Sequence, residues 1–187
     1  MKILSWVVVL SFLFPVGVRL AAAPEPLMMN GAQSHVEIVV KATFDSFVGK
    51  IDVYKAAITV EGGRIATAAL RFNFNAIHTG KGSRDEAMNE WQETVRYPEV
   101  GFILAALEPA AEGHFTARGV LALHGVSREI LFPVAVITDR KIYAIDGEAR
   151  IDTRDFGLPV IRKFGLLKVD PIVTVRFHLQ GATAARG

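Results

Sequence analysis

The sequence predicts an all-β fold: about eight antiparallel strands closed into a barrel, with one helix packed near one end. Three observations lead there. After residue 30 the hydrophobic period is mostly two, the signature of half-buried strands. One stretch, 83–95, departs from it toward helical composition. The strands are apolar and the chain has no cysteine to staple them. An open sheet of this kind would carry aggregation-prone edges, which closure removes.

The elements follow in order. Lys2 precedes a run from Ile3 to Val18 that is apolar apart from Ser5 and Ser11 and broken by Pro15 and Gly17, and then come Ala21-Ala22-Ala23. This pattern reads as a secretory signal peptide over 1–22, since the apolar run is short for a membrane span. Cleavage is placed after Ala22 because Pro24 would otherwise supply the leaving nitrogen. The expected destination is the periplasm. Residues 23–30 read as a linker, 31–182 as one barrel domain and 183–187 as a tail. A domain of this length buries a core without disulfides.

Val36, Ile38, Val40, Ala42 and Phe44 alternate with polar neighbours, as do Ile58 and Val60. Gly62-Gly63 supplies the positive φ of a hairpin turn. Ala66, Ala68, Leu70, Phe72 and Phe74 form the next apolar face, and further strands fall near 99–108, 114–124, 128–138, 141–152 and 169–180. Ser83 with Glu86 predicts a capping box opening the helix. Met88, Trp91, Gln92 and Val95 then share one helical face, and Tyr97-Pro98 stops it.

The inward set combines small residues (Ala42, Ala66, Ala68, Ala117) with aromatics (Phe44, Phe72, Phe74, Phe102, Phe115, Phe132). Small residues leave room and aromatics make an apolar wall, so the interior is expected to hold a ligand. The predicted ligand-binding residues are Val40, Ala42, Phe44, Ala68, Leu70, Phe72, Phe74, Trp91, Phe102, Phe115, Phe132 and Phe156.

Six strings, taken in order, resemble the YceI-like family of exported polyisoprenoid-binding proteins over residues 31–182. Ser34-His35 sits where the family's first strand carries Asp-x-x-His-Ser. Phe47-Val48-Gly49 resembles its Phe-x-Gly. Ala76-Ile77-His78-Thr79-Gly80 with Ser83-Arg84-Asp85 resembles the stretch that opens its helix. Tyr97-Pro98-Glu99-Val100-Gly101-Phe102, Gly119-Val120-Leu121-Ala122-Leu123-His124-Gly125-Val126 and Arg154-Asp155-Phe156-Gly157 resemble three further family strings. Glu86-Ala87-Met88 replaces a usual His-Leu, and Ala122 a usual threonine. The resemblance implies a lipocalin-like barrel whose interior holds a polyisoprenoid or another long-chain apolar lipid, for carriage, storage or sequestration.

Other classes find little in the residues. Lys and Arg number 21 against 19 Asp and Glu, interspersed, for a net charge of +2; no basic patch calls for nucleic acid. There is no Gly-x-Ser-x-Gly, phosphate-cradling glycine loop or clear carboxylate dyad, so no catalytic residue and no cofactor is predicted. His35, His78, His114, His124 and His178 lack metal-site spacing, and no metal is predicted. His124, beside Gly125, is expected to make a structural hydrogen bond at a tight turn. Arg84-Asp85 and Arg154-Asp155 are expected to form an ion-pair lock between helix and barrel end, with recognition of a ligand's phosphate or polar head as the alternative. An enzyme acting on a small apolar molecule in the same cavity is the alternative, and would need a strongly perturbed titrating pair there. A membrane barrel would carry its apolar band outside, whereas Glu37, Lys41, Asp52, Glu61 and Arg71 fit a wetted surface. A homodimer through an exposed strand is compatible with the pattern.

Overall fold

The computed structural model describes residues 23–43, 45–163 and 167–184. The expected signal peptide, Phe44 and residues 185–187 lie outside them. The elements run β1 (Glu25–Met29), β2 (His35–Lys41), β3 (Ser46–Ile51), β4 (Lys55–Glu61), β5 (Arg64–Asn73), β6 (Ile77–His78), α1 (Gly82–Trp91), β7 (Glu99–Ala111), β8 (His114–Leu123), β9 (Val126–Asp139), β10 (Ile142–Asp152), β11 (Arg162–Lys163), β12 (Leu167–Lys168) and β13 (Ile172–Thr183). Short 3-10 turns lie at Gly31–Gln33, Phe74–Ala76 and Thr153–Phe156.

Eight antiparallel strands close a ring in the order β1-β4-β5-β7-β8-β9-β10-β13, and β13 returns to β1. The barrel expected from the alternation is therefore present. β2 pairs with residues 174–178 of β13, on the edge that β1 occupies farther along, and β3 and β6 continue the same sheet beyond it. Glycine turns set several registers. Gly62 and Gly63 have φ of 57° and 81°, so Glu61 faces Arg64 across a two-residue hairpin. His124 and Gly125 have φ of 50° and 72° and place Leu123 opposite Val126.

Residues 25–29 were expected as linker but form a strand. Leu27 is buried inside the ring, and its burial anchors a segment whose prolines disguise it. β1 is nevertheless thinly held. It pairs with β4 at two positions, Glu25–Val60 and Pro26–Thr59, and with β13 at three. By contrast β8 and β9 pair at ten positions, and β10 and β13 at eleven. β13 also runs to Thr183, into the expected tail.

Three register shifts interrupt these ladders. The β4–β5 register slips so that Ala66 has no partner, and the β7–β8 register slips past Ala105 and again between Pro109 and Ala111. Ala66 is therefore exposed, against expectation, while Ile65 turns inward. One extra residue reverses which side chains face the core.

The helix also differs from its expected form. Lys81 is the N-cap and makes no side-chain cap, so Ser83 and Glu86 form no capping box. Asp85 in the first turn takes hydrogen bonds from the Thr79 backbone N–H at 3.1 Å and its hydroxyl. The helix ends at Trp91, because Glu93 takes a left-handed φ of 50°, a C-terminal stop seldom made without glycine. Val95 then points fully into solvent, off the expected apolar face.

Candidate functional site

The ring encloses an apolar lumen of about 210 Å³. Every strand of the ring except β1 contributes to its wall. Alternation directs Ala68, Leu70 and Phe72 from β5, Leu121 and Leu123 from β8, Ile145, Ala149 and Ile151 from β10, and Val173, Val175, Phe177 and Leu179 from β13. The one hydroxyl among the lining residues, on Thr153, donates to the Pro171 carbonyl at 3.0 Å. None of the lining residues is titratable.

An aromatic belt crosses this wall. Phe102, Phe132 and Phe177 stand edge to face, with centroids 5.4 Å and 6.0 Å apart. Glycines on the intervening strands seat the outer two rings: a Cβ on Gly119 would overlap Phe102, and one on Gly147 would overlap Phe177. The rings thus lie against neighbouring backbone instead of filling the space between.

Each end of the lumen is packed. At one, Met88 and Trp91 of α1 reach the lumen, and the Trp91 indole N–H donates to the Pro159 carbonyl at 2.8 Å. Beside them Tyr97 packs edge-on against His124, at 4.5 Å, over Gly125. His124 makes the expected structural hydrogen bond: its Nδ1 donates to the Phe156 carbonyl at 3.1 Å, since a carbonyl can only accept. At the other end Leu27, Val60 and Tyr143 are all buried.

Of the predicted ligand-binding residues, Val40, Ala68, Leu70, Phe72, Phe74, Trp91, Phe102 and Phe132 line the lumen. Three do not. Ala42 lies past the end of β2 and bridges to Val169. Phe115 sits beside the Glu112–Gly113 turn, outside the lining. Phe156 is buried in a 3-10 turn of the core. Phe44 lies outside the described residues. The aliphatic lining of β10 and β13 was missed, although Ile145, Ala149 and Ile151 and the run Val173 to Leu179 show the same period of two.

Among the described residues the Arg84-Asp85 and Arg154-Asp155 strings do not pair with each other, and the helix is tied instead to the residue before β3. Arg84 lies over the Phe47 ring at 4.1 Å and approaches Asp45 at 3.8 Å. Arg154 turns back on Asp152 at 2.9 Å, and its hydrogen bond holds the Asp152 carboxyl below the usual carboxylate range. The Arg154 pair is local in sequence, whereas the Arg84 pair joins α1 to the residue before β3. His35 and His178, remote in sequence, meet across β2 and β13 with ring centroids 5.7 Å apart. His178 also bonds Asp146 at 2.7 Å. Among the described residues no three His, Asp or Glu converge as a metal site would require.

Solved structures share this architecture. Burkholderia cenocepacia BcnA is 20% identical with a TM-score of 0.74, covering 83% of this chain and all (100%) of its own. A polyisoprenoid binding domain from Saccharophagus degradans, implicated in plant cell wall breakdown, is 17% identical with a TM-score of 0.63, covering 87% and 100%. The Campylobacter jejuni YceI protein is 15% identical with a TM-score of 0.65, covering 73% and 85%. None of the curated proteins matches the chain in sequence. The model of the YceI-like domain matches residues 28–181, which takes in the whole ring but the first residues of β1 and the last of β13, and the chain therefore belongs to the YceI-like family.

Proposed function

We propose that this is an exported binding protein whose barrel holds one long apolar lipid, of the polyisoprenoid class, for carriage, storage or sequestration in the periplasm. The observation that carries this reading is the lumen itself, which is apolar throughout with its one hydroxyl already bonded. Burying apolar chain there is favoured by roughly 25 cal/mol per Å² before ordering costs. An enzyme working in the same space would need a group to move protons or attack, and the lining supplies none. The likeness to a polyisoprenoid binding domain supports the choice of lipid class.

The test is extraction. Protein purified without detergent should release an isoprenoid or similar lipid into organic solvent, detectable by mass spectrometry. Phe72→Asp should abolish loading, whereas Lys41→Asp, on the outer surface, should leave it intact. Empty extracts together with failure of added polyprenols to bind would refute the reading.

A further inference from the structure

A lipid with a polar head cannot satisfy that head inside this lumen. A buried hydroxyl or amide left without a partner costs on the order of 2–7 kcal/mol. The head must therefore reach polar groups elsewhere, while both ends of the lumen are packed. Where the sheet divides between β2–β3 and β4, a cleft of about 810 Å³ opens on the outer surface. Val36 and Ile51 line both this cleft and the lumen, so one layer of side chains separates the two. The nearby ring contact, between β1 and β4, is the two-pair seam.

The cleft has the groups the lumen lacks. Glu37, Lys50, Asp52 and Lys55 line it, and none of them forms an ion pair with another described residue. Of the two cross-strand neighbours of Glu37, Arg176 is already taken by Glu148 at 2.8 Å, and Lys50 lies in the cleft itself. Tyr54 adds a half-buried phenol beside them. Two ammonium donors and two carboxylate acceptors share one concavity.

We infer that this cleft is a head-group subsite, holding an uncharged hydrogen-bonding head (a hydroxyl, amide or sugar) of a lipid whose tail passes alongside Val36 and Ile51, between β2–β3 and β4, into the lumen. The inference rests on the lumen-binding reading above. A head with both donors and acceptors meets both kinds of charge, whereas a phosphate would gain from Lys50 and Lys55 but be repelled by Glu37 and Asp52. Entry requires only that Val36 and Ile51 rotate and the weak β1–β4 seam part.

The test compares phytol, phytane and phytyl phosphate on the full mature protein and on the variant Lys50→Met/Asp52→Asn/Lys55→Met. All three positions are exposed, so the fold should tolerate the changes. The variant should weaken phytol about tenfold or more, the scale of one hydrogen bond to a charged group, and leave phytane within about twofold, since tail burial is untouched. Equal losses for phytol and phytane would overturn the subsite while leaving lumen binding intact. So would tightest wild-type binding of phytyl phosphate. Failure of all three to bind the wild type would instead overturn the lumen reading, and the subsite with it.

Discussion

The wall from β7 to β10 and the seam at β1 belong to one ring but are built to different standards. In the wall, ladders of six to ten pairs join long strands, and phenylalanine rings nest on glycine backbone. At the seam, a five-residue strand is held by two pairs on one side and three on the other. Strand propensity alone does not account for this; the number of pairs each strand can form does. Closure needs only that the ring be complete, so a protein can keep one weak join without leaving a free edge. The weak join is also where the outer surface turns polar and concave.

Hydrogen exchange gives the largest contrast. Local opening spans the whole range from free fraying to global unfolding. Backbone amides of Glu25–Met29 should exchange about 100-fold faster or more than those in the centres of β8 and β9. Mass spectrometry on peptic fragments resolves the two regions. Equal protection would abolish the distinction between wall and seam.

Two glycine substitutions sharpen the same contrast within the wall. A Cβ at Gly119 meets both the Phe102 ring and the Ile103 carbonyl oxygen, and backbone cannot move aside. Gly119→Ala should cost about 3 kcal/mol, at the upper end for overpacking. At Gly147 the near contacts all belong to the Phe177 ring, which can swing off the wall. Gly147→Ala should cost about 1–2 kcal/mol but place that ring in the lumen and reduce lipid loading. Urea unfolding measures the first effect and lipid extraction the second. A Gly147→Ala protein with unchanged loading would show that the ring's seat does not set the width of the lumen.

The strong wall was readable in the sequence and the weak seam was not. β7 to β10 announce themselves by long alternation and glycine hairpins. β1 does not, because Pro24 and Pro26 mask a strand whose burial rests chiefly on Leu27. The bulges at Ala66 and Ala105 have no marker of their own, and each reverses the phase of alternation beyond it. Among lumen residues, aromatic identity found one part of the lining, Phe72, Phe74, Trp91, Phe102 and Phe132, but misplaced Phe115 and Phe156 and passed over plain Val173, Val175 and Leu179. Strand phase would have found those three. The cleft was illegible for a different reason. Glu37 and Asp52 read as ordinary wetted positions, and nothing in the pattern shows that the β2–β3 ladder, which sets Glu37 opposite Lys50, borders a concavity that also takes in Asp52 and Lys55.

The smallest effect lies at the far end of the wall, where β10 leaves the sheet. Asp152 caps the 3-10 turn by accepting the Arg154 backbone N–H at 3.0 Å, and the same carboxylate pairs with the Arg154 side chain. That second interaction depresses its pKa. A depressed carboxyl stabilises the fold at pH above its ordinary value, and the contribution disappears as the pH falls through the lowered one. Asparagine keeps an oxygen for the cap but carries no charge. Asp152→Asn should therefore lower Tm slightly at neutral pH, with the difference shrinking toward zero in acid. Because the pair is exposed, screening keeps the effect small, and added salt should shrink it further. A Tm difference that held constant across the acid range would assign the role of Asp152 to the cap alone, independent of its charge.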